Sequence, residues 1–168
     1  MAIKDKVFKG KVKQVANFNF KDVYSFIYDY LADEGWEVHE RLYREKTIGE
    51  GLKELTIGWD ISKRVSDYFK YEIGINWIIL AMKDVKVMVD GKEIKMQNGT
   101  LELNFDAALI KDHQSKWDKG FMKSVREIYD NYVIAGRIED YEAYLFEEIN
   151  ELIATVKSYL AIEGQHSY

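Results

Sequence analysis

Residues Tyr68 to Ile110 read YFKYEIGINWIILAMKDVKVMVDGKEIKMQNGTLELNFDAALI, and their periodicity decides the fold class. Phe69, Tyr71, Ile73, Ile75, Trp77 and Ile79 occupy alternate positions, the period of a strand with one face in a core. The other face begins polar, with Lys70, Glu72 and Asn76, and turns apolar at Ile78 and Leu80, so something covers that end. Alternation continues through Val85/Val87/Val89, Ile94/Met96 and Leu101/Leu103/Phe105. Between these runs stand Asp90-Gly91 and Asn98-Gly99, dipeptides suited to the two positive φ angles of a type I′ hairpin turn. The stretch therefore predicts four consecutive antiparallel strands, at 68–82, 85–89, 93–97 and 100–110.

Upstream, Val7 to Val15 alternates as well, with Lys9, Lys11 and Lys13 on one face and Phe8, Gly10 and Val12 on the other. This predicts a strand over 7–16 whose lysines suit an edge position. Asn19 is a candidate N-cap, and Phe20, Val23, Tyr24, Ile27 and Leu31 then recur at helical spacing until Gly35. A helix over 20–33 follows. The period returns to two at Trp36, Val38 and Leu42, and again at Leu55, Ile57, Trp59 and Ile61. Strands at 36–46 and 53–61 are expected there, with turns at Gly49-Glu50-Gly51 and Ser62-Lys63-Arg64.

Downstream, Phe121, Met122, Val125, Ile128, Tyr129 and Tyr132 predict a helix over 117–134, interrupted at Ala135-Gly136. Ile138, Tyr141, Leu145, Ile149, Leu152, Val156 and Tyr159 predict a second over 138–161, with this stripe docked and Glu142, Glu147, Glu148 and Glu151 in water. The expected fold is α+β: a curved antiparallel sheet of about seven strands packed on C-terminal helices. It forms a single domain over 1–162 with a frayed tail over 163–168. Ile27, Trp59, Ile73, Ile75, Phe105, Ile149 and Leu152 are the expected core.

Composition removes several functions. The 168 residues include no Cys, which excludes disulfides, thiolate catalysis and zinc–thiolate sites. The N-terminus lacks an apolar signal core, and Trp77–Met82 is too short to span a bilayer, so a cytoplasmic protein is expected. A net charge of −5 makes nucleic acid an unlikely main partner. The charge is nonetheless segregated: Lys4, Lys6, Lys9, Lys11 and Lys13 outweigh Asp5 at the N-terminus, whereas residues 137–162 carry six acids against Arg137 and Lys157. Each run reads first as a solvated face, and alternatively as two ends that meet.

Candidate chemistry is sparse. His39, His113 and His166 have no second histidine at helical spacing, so no metal site is predicted. Asp112-His113 would be half of a catalytic relay only beside a nucleophile. The acids Glu147, Glu148 and Glu151 lack the Glu-x-x-His spacing of a di-iron helix. Gly49-Glu50-Gly51 has no following Lys-Ser/Thr to hold phosphate. No cofactor and no catalytic residue follow from the sequence.

The order strand, helix, strands, helices over residues 7–162 resembles the helix-grip fold of the START and Bet v 1-like superfamily, in which a curved sheet wraps a long C-terminal helix. Asp130-Asn131-Tyr132 and Ile138–Glu142 also resemble archaeal proteins of unassigned function. The helix-grip resemblance implies a non-catalytic domain binding an apolar or aromatic small molecule, with Trp36, Trp59, Tyr71, Trp77, Phe105 and Tyr129 as ligand contacts. Close packing without a cavity explains the same aromatic residues. The alternative is a self-associating structural or protein-interaction domain that uses the 138–160 helix, with Tyr141, Tyr144 and Phe146 at a homo-oligomer contact.

Overall fold

The structure, a computed structural model describing residues 2–117 and 120–165, comprises β1 (Ile3–Phe18), α1 (Phe20–Asp33), β2 (Glu37–Gly49), β3 (Leu52–Arg64), β4 (Phe69–Val89), β5 (Lys92–Lys111), α2 (Phe121–Ile128), a π-helical turn (Tyr129–Val133) and α3 (Ala135–Gly164). The class is α+β with one antiparallel sheet in the order β1-β5-β4-β3-β2. Strands β2 to β5 form a meander of hairpins. Helix α1 carries the chain from the β1 edge to the β2 edge.

The sheet has five strands, not the seven expected, because two predicted breaks are bends. Strands 68–82 and 85–89 are one strand, β4, and 93–97 and 100–110 are one strand, β5. In the register, Ala81 and Met82 of β4 stand opposite the single residue Gly99 of β5. This is a β-bulge, with Ala81 in the left-handed region at φ 51°. A Cβ on Gly99 would lie 2.9 Å from the Leu80 carbonyl oxygen. Asn98-Gly99 is thus the place where one strand passes the bulge of its neighbour, and Asn98 donates to Asn17 Oδ1 across to β1 at 2.6 Å. Asp90-Gly91 is the hairpin turn expected, with φ of 50° and 76°. Ser62-Lys63-Arg64 is not a turn; it continues β3 in register with Lys70–Glu72, and the reversal falls at Ser66, whose Oγ accepts from the Tyr68 and Phe69 amides.

Helix α1 begins where predicted, its first turn capped by Asn19 Oδ1 accepting from the Asp22 amide at 3.2 Å. It lays Val23, Ile27 and Leu31 on the inner face of the sheet. The long helix α3 covers the same face with Leu145, Ile149, Leu152, Val156 and Leu160. The seven expected core residues are at most 2% exposed. Glu147 and Glu151 lie in water, but Glu142 and Glu148 are half-buried; Glu148 reaches Lys63 of β3 at 3.3 Å.

Ala135 and Gly136 do not interrupt the helices. They begin α3, and the break is at Ile134 (φ −118°, ψ 10°). Of the predicted helix 117–134, α2 and the π turn form 121–133; residues 118 and 119 lie outside the described residues. Glu163 and Gly164 complete α3, and His166 with the rest of the expected tail 166–168 lies outside the described residues.

Candidate functional site

The six aromatic residues expected to line a ligand site do not converge on one place. Trp59 and Trp77, adjacent on β3 and β4, meet edge to face at 5.0 Å, and Tyr24 of α1 lies against both. Trp36 stacks on Tyr71 at 6.2 Å, and the Lys63 ammonium sits 5.3 Å from the Trp36 ring centre. Tyr71 donates to the Tyr141 carbonyl at 3.0 Å. Phe105 is buried on β5. Tyr129 belongs to a third group, stacked on Trp117 at 5.3 Å and edge-on to Tyr68. The void recorded between α1, α3 and the sheet, beside Trp36 and Ile73, measures about 20 Å³, room for roughly one water. These rings fill the interior with each other.

Polar detail in the first group singles it out. Burial and a 2.5 Å hydrogen bond to Glu40 hold the Tyr24 hydroxyl up at about 12. Beneath it lie the fully buried indoles of Trp59 and Trp77, and the Trp77 N–H closes no hydrogen bond among the described residues. The Trp59 indole, directed at the Tyr24 oxygen, opposes that rise. A buried donor without an acceptor costs about 1–3 kcal/mol.

Buried charge is gathered at the end of the sheet where β4 begins and β5 ends. Asp112, left-handed at φ 50°, accepts from the Lys116 amide (2.9 Å), the Trp117 amide (3.2 Å) and Arg126 Nη1 (3.3 Å). Asp130, in the π turn, accepts from the Tyr68 hydroxyl at 2.5 Å and lies 3.8 Å from Lys111 Nζ. Lys111 in turn holds Asp5 at 2.9 Å. Burial, followed by the hydrogen bond and charge of Asp130, pushes the Tyr68 hydroxyl well above the usual tyrosine range. Asp112 does not engage His113, whose Nε2 lies 3.0 Å from the Ser66 carbonyl oxygen. The dipeptide therefore builds no relay.

This network fastens α2 to the sheet by its charged side. Arg126 and Asp130 are 5% and 8% exposed, whereas Phe121 and Tyr132 are 82% and 83% exposed. Ile128 and Val133 are exposed beside them. Of the apolar residues that mark this helix in the sequence, Phe121, Met122, Ile128 and Tyr132 are outside, Val125 and Tyr129 are half-buried, and the charged pair Arg126 and Asp130 is inside. Sequence reading missed Arg126 and Asp130, although with Ile134 they recur at intervals of four. Of the three residues expected at an oligomer contact, Tyr141 packs on Phe69 at 4.5 Å and is committed to its own sheet. Tyr144 is exposed, and Phe146 is exposed but touches Phe8.

The outer face of the sheet carries a polar groove of about 600 Å³ that includes Arg41, Asp60, Asn76 and His39. Arg41 donates to Asp60 Oδ1 and Asn76 Oδ1, each at 3.1 Å. Lys4 and Lys70 both pair with Glu72 in the same groove, which Glu37 and Asp106 also line. Among the described residues no group of three or more His, Asp or Glu side chains could hold a metal, and no helix is long and apolar enough to cross a membrane. Comparison with known proteins found no matching family, no matching curated protein and no matching solved structure.

Proposed function

We propose that this domain is a protein-interaction module that self-associates through the apolar ridge of α2 and the π turn. One observation carries the reading: along a single helical segment the charged residues Arg126 and Asp130 are buried while Phe121, Ile128, Tyr132 and Val133 face outward. Burying charge is costly even when it is paired, and an isolated domain gains by turning such a stripe inward. A contiguous exposed apolar surface marks a contact site. Light scattering on the full chain tests this. The domain should be larger than a monomer at tens of micromolar, and Phe121→Ser with Tyr132→Ser should make it monomeric with unchanged circular dichroism. A monomeric parent at that concentration removes the reading.

A second reading, a small-molecule binding domain of helix-grip type, is favoured by the Trp77 indole donor under α1, which has no acceptor among the described residues. The strand order and the single long helix across the inner face support the same likeness. The void between α1, α3 and the sheet being about 20 Å³, a ligand offering an acceptor to this indole requires α1 to swing away. Native mass spectrometry of protein purified from its own source tests it: a bound mass lost on denaturation supports it. Bare protein, with tryptophan emission unmoved by apolar and aromatic compounds, removes it.

A further inference from the structure

The edge strand β1 carries an organised charge pattern that the interaction ridge does not explain. In register with β5, Lys4 and Lys6 lie opposite Ile110 and Ala108, and Lys9, Lys11 and Lys13 opposite Asp106, Asn104 and Glu102. All five β5 partners belong to the outer row, so all five lysines share the outer face. In sequence they change from even to odd numbers, which a regular strand would send to opposite faces. The bulge between Lys6 and Phe8 absorbs the change at Val7 and keeps the row in phase.

The row is compensated only in part, Lys9 and Lys13 having Asp106 and Glu102 opposite them on β5. Lys4 pairs with Glu72 at 3.3 Å, but among the described residues Lys6, Lys9, Lys11 and Lys13 form no ion pair, and all four are exposed. β1 ends the sheet, leaving one side of its backbone open. On the inner side of the same edge, Phe8 meets Phe146 of α3 at 6.0 Å, and Phe146 is 48% exposed.

We infer that β1 accepts an added strand: an extended peptide segment that alternates acidic with apolar residues. Its backbone would complete the open ladder. Its carboxylates would fall on the outer face opposite Lys9, Lys11 and Lys13, at the distance where opposite charges on neighbouring strands attract. Its apolar residues would fall on the inner side, beside Phe8 and Phe146. The same row rejects a second copy of β1, which would set lysine against lysine, so the edge is selective rather than merely protected. A flat anionic surface fits less well, because the next row inward bears Asp106 and Glu102. A nucleic-acid strand matches the charge but leaves the open backbone unpaired.

The test uses two labelled peptides of one composition and about ten residues, long enough to span about 33 Å as a strand. One alternates Glu with Val; in the other the Glu residues form a block. Fluorescence anisotropy with the full chain should show saturable binding of the alternating peptide, weakened by salt, and at least tenfold weaker binding of the block. Lys9→Glu, Lys11→Glu and Lys13→Glu together should reduce binding about tenfold, the combined weight of three exposed cross-strand ion pairs. That variant should instead bind a peptide alternating Lys with Val, a gain that misfolding cannot produce. Equal binding of both acidic peptides, or none at low ionic strength, overturns the inference. So does a single-stranded oligonucleotide that binds as well as the alternating peptide and is lost in the same variant.

Discussion

Gly99 of β5 and Leu80 of β4 are in backbone contact: a Cβ at Gly99 would stand 2.9 Å from the Leu80 carbonyl oxygen and 3.1 Å from Met82 Cα. Backbone, unlike the end of a flexible side chain, cannot step aside cheaply. Gly99→Ala should therefore destabilise by about 1–3 kcal/mol, the usual cost of overpacking. Urea denaturation checks this. An unchanged midpoint would mean that β4 and β5 separate at the bulge without cost.

The Tyr68 hydroxyl is the shortest contact to buried Asp130, at 2.5 Å against 3.8 Å for Lys111. Tyr68→Phe should cost about 1.5–3 kcal/mol, the range for a hydrogen bond to a charged group. Tyr24→Phe removes a bond of equal length to the exposed Glu40 and should cost less, because water can replace the donor. Chemical denaturation of both variants gives the ranking. A larger effect at Tyr24 would show that the π turn is not held by this network.

Helix α3 supplies Leu145, Ile149, Leu152, Val156 and Leu160 to the core. Each is worth about 1.5–3 kcal/mol when buried, together comparable to the 5–15 kcal/mol that stabilises a typical domain. Deleting residues 138–168 should abolish cooperative thermal unfolding. A truncated chain that still melts sharply would mean the sheet and α1 suffice. Ile149→Ala alone should cost about 2–5 kcal/mol.

Glu142 titrates above its ordinary value, first because it is partly buried and then because Asp5 is near, with Lys111 opposing. An acid whose pKa is raised by folding binds its proton more tightly in the fold, so stability is full below the unfolded value of about 4.5 and falls as pH rises through the folded one. Glu142→Gln should raise the melting temperature at pH 7 and change it little at pH 4. Thermal melts at the two pH values test this, and an equal shift at both would contradict it.

Local pattern was enough to read α1 from Asn19 to Asp33, the Asp90-Gly91 hairpin and the inner faces of β3, β4 and β5. In each, one residue type repeats at the period of one backbone geometry, so neighbours in sequence contain the whole signal. The buried stripe of α3 was legible for the same reason. The aromatic residues were legible as core, but whether Trp36, Trp59 and Tyr129 share a site was not, since that depends on which strands and helices bring them together.

Tertiary structure alone decided three matters. Asn98-Gly99 has the chemistry of a turn, but the bulge of β4 opposite makes it a crossing point, because a glycine serves close backbone approach as well as reversal. Phe121, Val125, Ile128 and Tyr132 recur at the period of a helix face, yet Asp112, Tyr68 and Lys111, at the ends of β4 and β5, offer partners to Arg126 and Asp130 on another face. Helical periodicity defines a helix's faces but not which face the rest of the chain can satisfy. The lysines of β1 likewise lie in one row only because a bulge at Val7, invisible to a count of alternation, shifts the register by one residue.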